Sequence, residues 1–135
     1  MDLAPANTVD PASRMPQDVL IVEDDPIIAL GFEDMITHFG VQSVRTAGGV
    51  ARALELIADH APGFALLDVG LVREKSFAVA ERLEALQIPF VFVTGYGARV
   101  ALPQRFAARP RLTKPCSSDA LKAILTARRS DGTRR

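Results

Sequence analysis

The chain has 135 residues, 16 basic and 16 acidic side chains, 48% hydrophobic residues and a mean hydropathy of +0.15. That balance excludes wholesale disorder and predicts one packed domain, about 100 to 150 residues being the commonest domain size. A formal net charge of zero excludes the basic footprint of a dedicated nucleic-acid or anionic-membrane binder, and no apolar run approaches the roughly 18 residues of a membrane span.

Residues 1–16 carry Pro5, Pro11 and Pro16 among small and polar neighbours and have no strand or helix period, so they read as a disordered leader. The folded domain is expected over 17–128. Its first strand is Val19-Leu20-Ile21-Val22. Asp25 before Pro26 predicts an N-cap and a first-turn proline for a helix with apolar positions Ile27, Ile28, Leu30, Phe32, Met35, Ile36 and Phe39, closed by Gly40. A second strand is predicted over Val41 to Val44, and a second helix on Val50, Ala53, Leu54 and Ile57. Phe64-Ala65-Leu66-Leu67 is the third strand, Phe77, Ala80, Leu83 and Leu86 space the third helix, and Phe90-Val91-Phe92-Val93 is the fourth strand. Gly95, Gly97, Pro103 and Pro110 punctuate the next interval. At most two helical turns fit there, roughly Ala98 to Phe106, and this should be the softest part of the fold. A weak fifth strand at Arg111-Leu112-Thr113 precedes a helix opened by Ser117 or Ser118 with Asp119 and carried by Ala120, Leu121, Ile124 and Leu125. Residues 129–135 read as a solvated basic tail.

The first, third and fourth runs are apolar on consecutive positions, which suits strands covered on both faces, while the second and fifth suit sheet edges. Five such alternations with short crossovers predict a three-layer α/β sandwich around a parallel sheet with right-handed connections. Ligands of such sheets sit at the carboxyl ends of the strands.

The polar residues of interest lie at those ends. Glu23, Asp24 and Asp25 follow the first strand, Asp68 the third, Thr94 the fourth and Lys114 the fifth. Carboxylates gathered on one rim repel one another unless a cation answers them, which predicts a hard divalent ion, Mg²⁺. Asp68, between Leu67 and Val69, is suited to act as a nucleophile toward phosphorus, forming an acyl phosphate. Lys114 would supply a point charge and Thr94 a hydrogen bond to the phosphoryl oxygens. Singly, each has a plainer explanation: a helix cap, a turn residue, a threonine of β propensity, a solvated lysine before proline. Their conjunction on one rim carries the reading.

These residues also resemble the receiver domain of bacterial two-component response regulators. The resemblance runs from Asp18 to about Arg128, on Val19-Leu20-Ile21-Val22-Glu23-Asp24-Asp25-Pro26, Ala65-Leu66-Leu67-Asp68-Val69, Val93-Thr94-Gly95 and Leu112-Thr113-Lys114-Pro115. The stretch Pro89-Phe90-Val91-Phe92-Val93-Thr94-Gly95-Tyr96-Gly97 further resembles the FATGUY subfamily of mostly single-domain receivers. The resemblance implies a flavodoxin-like (βα)5 fold with strand order 2-1-3-4-5 and a shortened or irregular fourth helix. It implies that Asp68 accepts a phosphoryl group from a phosphohistidine on a sensor histidine kinase. It further implies that Asp24 binds Mg²⁺ directly, Glu23 through water and Gly70 through its backbone carbonyl, and that Thr94 and Lys114 grip the phosphoryl oxygens. A cis bond between Lys114 and Pro115 is expected on the same ground. Two departures stand out. The loop Gly70-Leu71-Val72-Arg73-Glu74-Lys75-Ser76 lacks the proline and later glycine usual in receivers, and Arg111 occupies the position of the usual aromatic switch. Tyr96, the one tyrosine of the chain, is the candidate to share the switch role with Thr94 or to cover the phosphoryl group.

The expected function is that of a cytoplasmic single-domain response regulator. After the last helix only a few polar residues remain, so output is expected through protein binding or as a phosphate sink. The expected partners are a sensor histidine kinase and an unidentified downstream protein, neither nucleic acid nor membrane, with the chain a monomer or weak dimer. The surface from Thr94 through the fifth strand and last helix is the expected partner face, and phosphorylation is expected to order Gly95 to Pro110. The chain is expected to catalyse only its own phosphotransfer and dephosphorylation. A Mg²⁺-dependent phosphohydrolase commonly places a second acid two residues after its nucleophile, where this chain has Gly70. The alternative is a phosphorylation-independent binding module on the receiver fold. Cys116, the single cysteine, forms no internal disulfide and reads as a space filler, and His38 and His60 sit near predicted helix C-termini without a functional role.

Overall fold

The computed structural model describes residues 15–71, 75–95, 102–114 and 116–133. Residues 1–14 of the leader expected over 1–16, Tyr96 and the Lys114–Pro115 bond lie outside the described residues; the leader's last two residues are instead packed, Met15 against the core and Pro16 buried.

Five strands alternate with four helices: β1 Asp18–Val22, α1 Pro26–His38, β2 Ser43–Ala47, α2 Val50–Asp59, β3 Phe64–Asp68, α3 Phe77–Ala85, β4 Phe90–Gly95, β5 Arg111–Lys114 and α4 Ser118–Thr133. All strand pairs are parallel, in the order β2-β1-β3-β4-β5, so the two mixed runs do form the edges. Between β4 and β5 the described residues hold a single 3-10 turn, Gln104–Phe106. Pro103 opens that turn and Pro110 closes the segment, since neither can donate to a continuing helix.

The period of two along the strands builds two cores. Leu20, Val22, Leu67, Phe90 and Phe92 face α2 and α3, meeting Ala53, Ile57, Val79 and Leu83. Val19, Ile21, Leu66, Val91 and Val93 face α1 and α4, meeting Phe32, Ile36, Leu121 and Leu125. All of β1 is therefore buried, which explains its unbroken apolar run.

Helix ends follow their local chemistry. The Asp25 side chain accepts from the Ile27 and Ile28 amides at 2.9 and 3.2 Å, and Gly40 takes φ +100° just beyond α1, where a left-handed residue ends a helix. Ser117 Oγ accepts from the Ala120 amide at 3.0 Å. The backbone stays helical through Thr133, beyond Arg128 where apolar spacing stops.

Two expectations need correction. β2 begins at Ser43, not Val41, because Asp18 pairs with Ser43 in register while Val41 is buried in the loop that returns from α1. In α1, Ile27 and Leu30 are exposed, because seven apolar positions span more of the helix circumference than one sheet face covers.

Candidate functional site

The site is a consequence of where the strands stop. β1 delivers Glu23, Asp24 and Asp25, β3 ends on Asp68, β4 carries Thr94 in its last two residues and β5 ends on Lys114. The register sets Asp68 beside Val93 and Thr94 beside Thr113. Every described candidate thus lies on one rim.

Carboxylate oxygens of Glu23, Asp24 and Asp68 lie within 4.8 Å of one another. Glu23 and Asp68 are 4% and 5% exposed, and Asp24 is half-buried. The Lys114 ammonium answers them, donating to Glu23 Oε1 at 3.0 Å and standing 3.5 Å from Asp68 Oδ2. Two backbone amides fix the carboxylates: Asp25 N–H donates to Glu23 Oε2 at 3.1 Å, and Gly70 N–H donates to Asp68 Oδ1 at 3.1 Å. Thr94 is buried at the same rim.

Burial pushes the Glu23 carboxyl up to about 7, with Asp68 adding to the rise, while the hydrogen bonds from Lys114 and the Asp25 amide oppose it. Burial pulls Lys114 the other way, but its hydrogen bond to Glu23 and the charges of Asp68 and Glu23 outweigh that and hold it above the ordinary lysine value. Three hard oxygen donors around one point, two of them buried, fit a divalent cation such as Mg²⁺. Asp68 Oδ2, with the Lys114 ammonium beside it, suits an incoming phosphoryl group.

Beside the rim lies a groove of about 470 Å³ lined by Ile28, Gly31, Met35, Gly95, Cys116 and Lys114. Ile27 and Leu30 are exposed on the same helix, at 79% and 55%. Cys116 packs against the α1 side, and burial raises its thiol above the usual value. Residues the sequence reading missed include Glu84, Arg105 and Arg109, which pair across α3 and the 3-10 turn at 2.7 and 2.8 Å. The four-residue spacing of the two arginines was the available sign.

Comparison with known proteins agrees with this fold. Residues 19–126 match the family model of the response regulator receiver domain. The chain is 31% identical over 121 residues to the transcriptional regulatory protein PdtaR of Mycobacterium tuberculosis, covering 87% of this chain and 59% of that protein. The solution structure of SdrG from Sphingomonas melonis Fr1 superposes with a TM-score of 0.73 at 43% identity, over 82% of this chain and 94% of SdrG. The crystal structure of the anti-anti-sigma factor PhyR from Bartonella quintana superposes with a TM-score of 0.72 at 26% identity, over 90% of this chain and 50% of PhyR. The chain thus spans little more than half the length of PdtaR and half that of PhyR.

Proposed function

This chain belongs to the response regulator receiver family, and from that premise we propose that it is a Mg²⁺-dependent phosphorylatable switch with Asp68 as phosphoacceptor. Receivers of this family are signalling proteins. The observation that carries the reading is the Lys114 ammonium set between Glu23 and Asp68 with the Asp24 carboxylate in the same cluster.

Glu23, Asp24 and Asp68 would hold the cation, with the Gly70 carbonyl as a further ligand. The bound cation would neutralise charge on the transferring phosphoryl oxygens. Asp68 Oδ2 attacks the phosphorus of a phosphohistidine on a sensor histidine kinase, the P–N bond breaks, and the imidazole leaves with its electron pair. The Gly70 amide holds the other Asp68 oxygen, Oδ1. Lys114 and Thr94 then grip the phosphoryl oxygens, and Tyr96 is the candidate to share in switching. The phosphodonor helix docks on α1, where Ile27 and Leu30 are exposed. Output passes through a downstream protein, or the chain drains phosphate from its kinase, in a domain spanning 17–128. PhyR as an anti-anti-sigma factor makes a regulator of transcription one class of target.

The test is intact mass after incubation with acetyl phosphate and Mg²⁺, beside Asp68→Ala. One phosphoryl adduct is expected in the wild type, lost without Mg²⁺ and lost in the variant. No adduct from either acetyl phosphate or a panel of phosphorylated kinases would instead favour a binding module that works without phosphorylation.

A further inference from the structure

The core cluster between the sheet and α1 comes to the surface as the groove beside the rim. Ile28, Phe32 and Met35 share one stripe of α1 at helical spacing. Phe32 is buried in that cluster, and Ile28, Met35 and Cys116 are partly buried against it. Two glycines leave the space open: a Cβ built on Gly31 of α1, or on Gly95 at the end of β4, meets nothing within 4 Å. The groove holds about 470 Å³, inside the roughly 300 to 1,000 Å³ of pockets that take small molecules. Among the described residues its lining is apolar except for Lys114, and an apolar pocket with few convergent polar groups is the usual form of a small-molecule site.

The charges around Lys114 select the ligand. Its ammonium stands 3.0 Å from Glu23 and 3.5 Å from Asp68, and Asp24 belongs to the same carboxylate cluster, so three acids stand behind one cation. An anion in the groove would compete with two carboxylates already in place, in a field that is negative in sum. A cation would meet the ammonium between apolar walls, with no carboxylate lining the groove to receive it. An ammonium carries three N–H donors, one more than the two neighbouring carboxylates take. A neutral acceptor, the oxygen of a carbonyl or amide, suits the third.

We propose that this groove binds an uncharged amphiphile, a small molecule with an apolar body against Ile28, Phe32, Met35 and Cys116 and a carbonyl acceptor toward Lys114. The site goes beyond the phosphoacceptor reading and does not depend on it, since none of the rim carboxylates lines the groove.

Three eight-carbon probes with different heads, octanamide, octanoate and octylammonium, test the site by titration into the full chain at neutral pH. The readouts are amide shifts over residues 28–35 and alkylation of Cys116, the one cysteine, by N-ethylmaleimide followed by intact mass. Octanamide is expected to shift those amides, to slow Cys116 alkylation about fivefold or more at saturation, and to bind at least about fivefold tighter than either charged probe. Gly31→Leu fills the groove while replacing a helix-interior glycine with a good helix former. It is expected to melt no lower than wild type and to lose the response to octanamide. Leu86→Ala, which trims an exposed apolar residue at the end of α3, should leave that response unchanged. Absence of octanamide binding, equal binding of the three probes, tighter binding of a charged one, or a response that survives Gly31→Leu in a folded chain overturns the site. Cys116 alkylation that speeds up on removal of residues 1–14, or on dilution, would make the chain's own leader or a second copy the occupant, and overturns it equally.

Discussion

Glu23 and Glu84 show the two ways this chain handles a carboxylate. Glu23 is buried, and even with Lys114 at 3.0 Å desolvation keeps its carboxyl near 7, because one ammonium serves Asp68 as well. Glu84 lies nearer the surface, where the hydrogen bond from Arg109, aided by Arg105 and opposed by a smaller desolvation, holds it below the ordinary carboxylate value. A group whose folded value is depressed adds stability above its unfolded value, and that stability is lost as pH falls through the folded value. The gap in urea midpoint between wild type and Glu84→Gln is therefore expected to hold steady from about pH 8 to about pH 5.5 and to shrink below about pH 4.5. Denaturation series at those pH values check it, and a gap that widened on acidification would contradict the sign.

At the scale of elements, α1 does two jobs with one helix. Ala29, Phe32 and Ile36 bury it, while Ile27 and Leu30 remain exposed beside the rim. If that outer face seats the phosphodonor, Ile27→Asp should slow transfer from the kinase that charges the chain by about tenfold and leave labelling by acetyl phosphate intact; equal losses from both donors would count against docking there. α3 carries a different defect. Gln87, just past its end, takes φ 60°, where a side chain is strained and glycine is not. Gln87→Gly should stabilise the fold by about 1 kcal/mol, read as a raised midpoint in urea. These elements also show where the sequence was legible. Asp25-Pro26 and Gly40 mark the ends of α1 through local backbone chemistry, and the rim residues declare themselves because each follows an apolar strand. The exposure of Ile27 and Leu30 depends on how much helix the sheet can cover, which no periodicity states. The burial of Phe106 and the pairing of Arg105 and Arg109 with Glu84 come from tertiary contacts in a segment with no period at all.

Across the whole molecule, the two ends of the sheet divide the work. The carboxyl ends of the strands gather the charge that the proposed function uses, while the opposite end is closed by a pair serving stability. Asp18, 5% exposed, receives Arg45 at 2.6 and 3.2 Å and Ser43 Oγ at 2.8 Å. Arg45 also donates to the Leu56 and His60 carbonyls at 2.8 and 2.7 Å, tying edge strand β2 to β1 and to the end of α2. Arg45→Met would leave the Asp18 carboxylate without its cation and remove the guanidinium bonds to the Leu56 and His60 carbonyls, of which Leu56 keeps the His60 amide as donor. Breaking such a pair from one side costs about 3 kcal/mol, well above the value of an exposed pair such as Arg52–Glu55. The variant is therefore expected to unfold at a clearly lower temperature while still forming the Mg²⁺-dependent adduct on Asp68 below its own transition. Asp18→Asn with Arg45→Met should recover part of the loss, because the uncompensated charge is gone. Calorimetry on the wild type and the two variants, with intact mass on the same samples, checks both halves. Loss of the adduct in a variant still folded would mean that the two ends of the sheet are coupled.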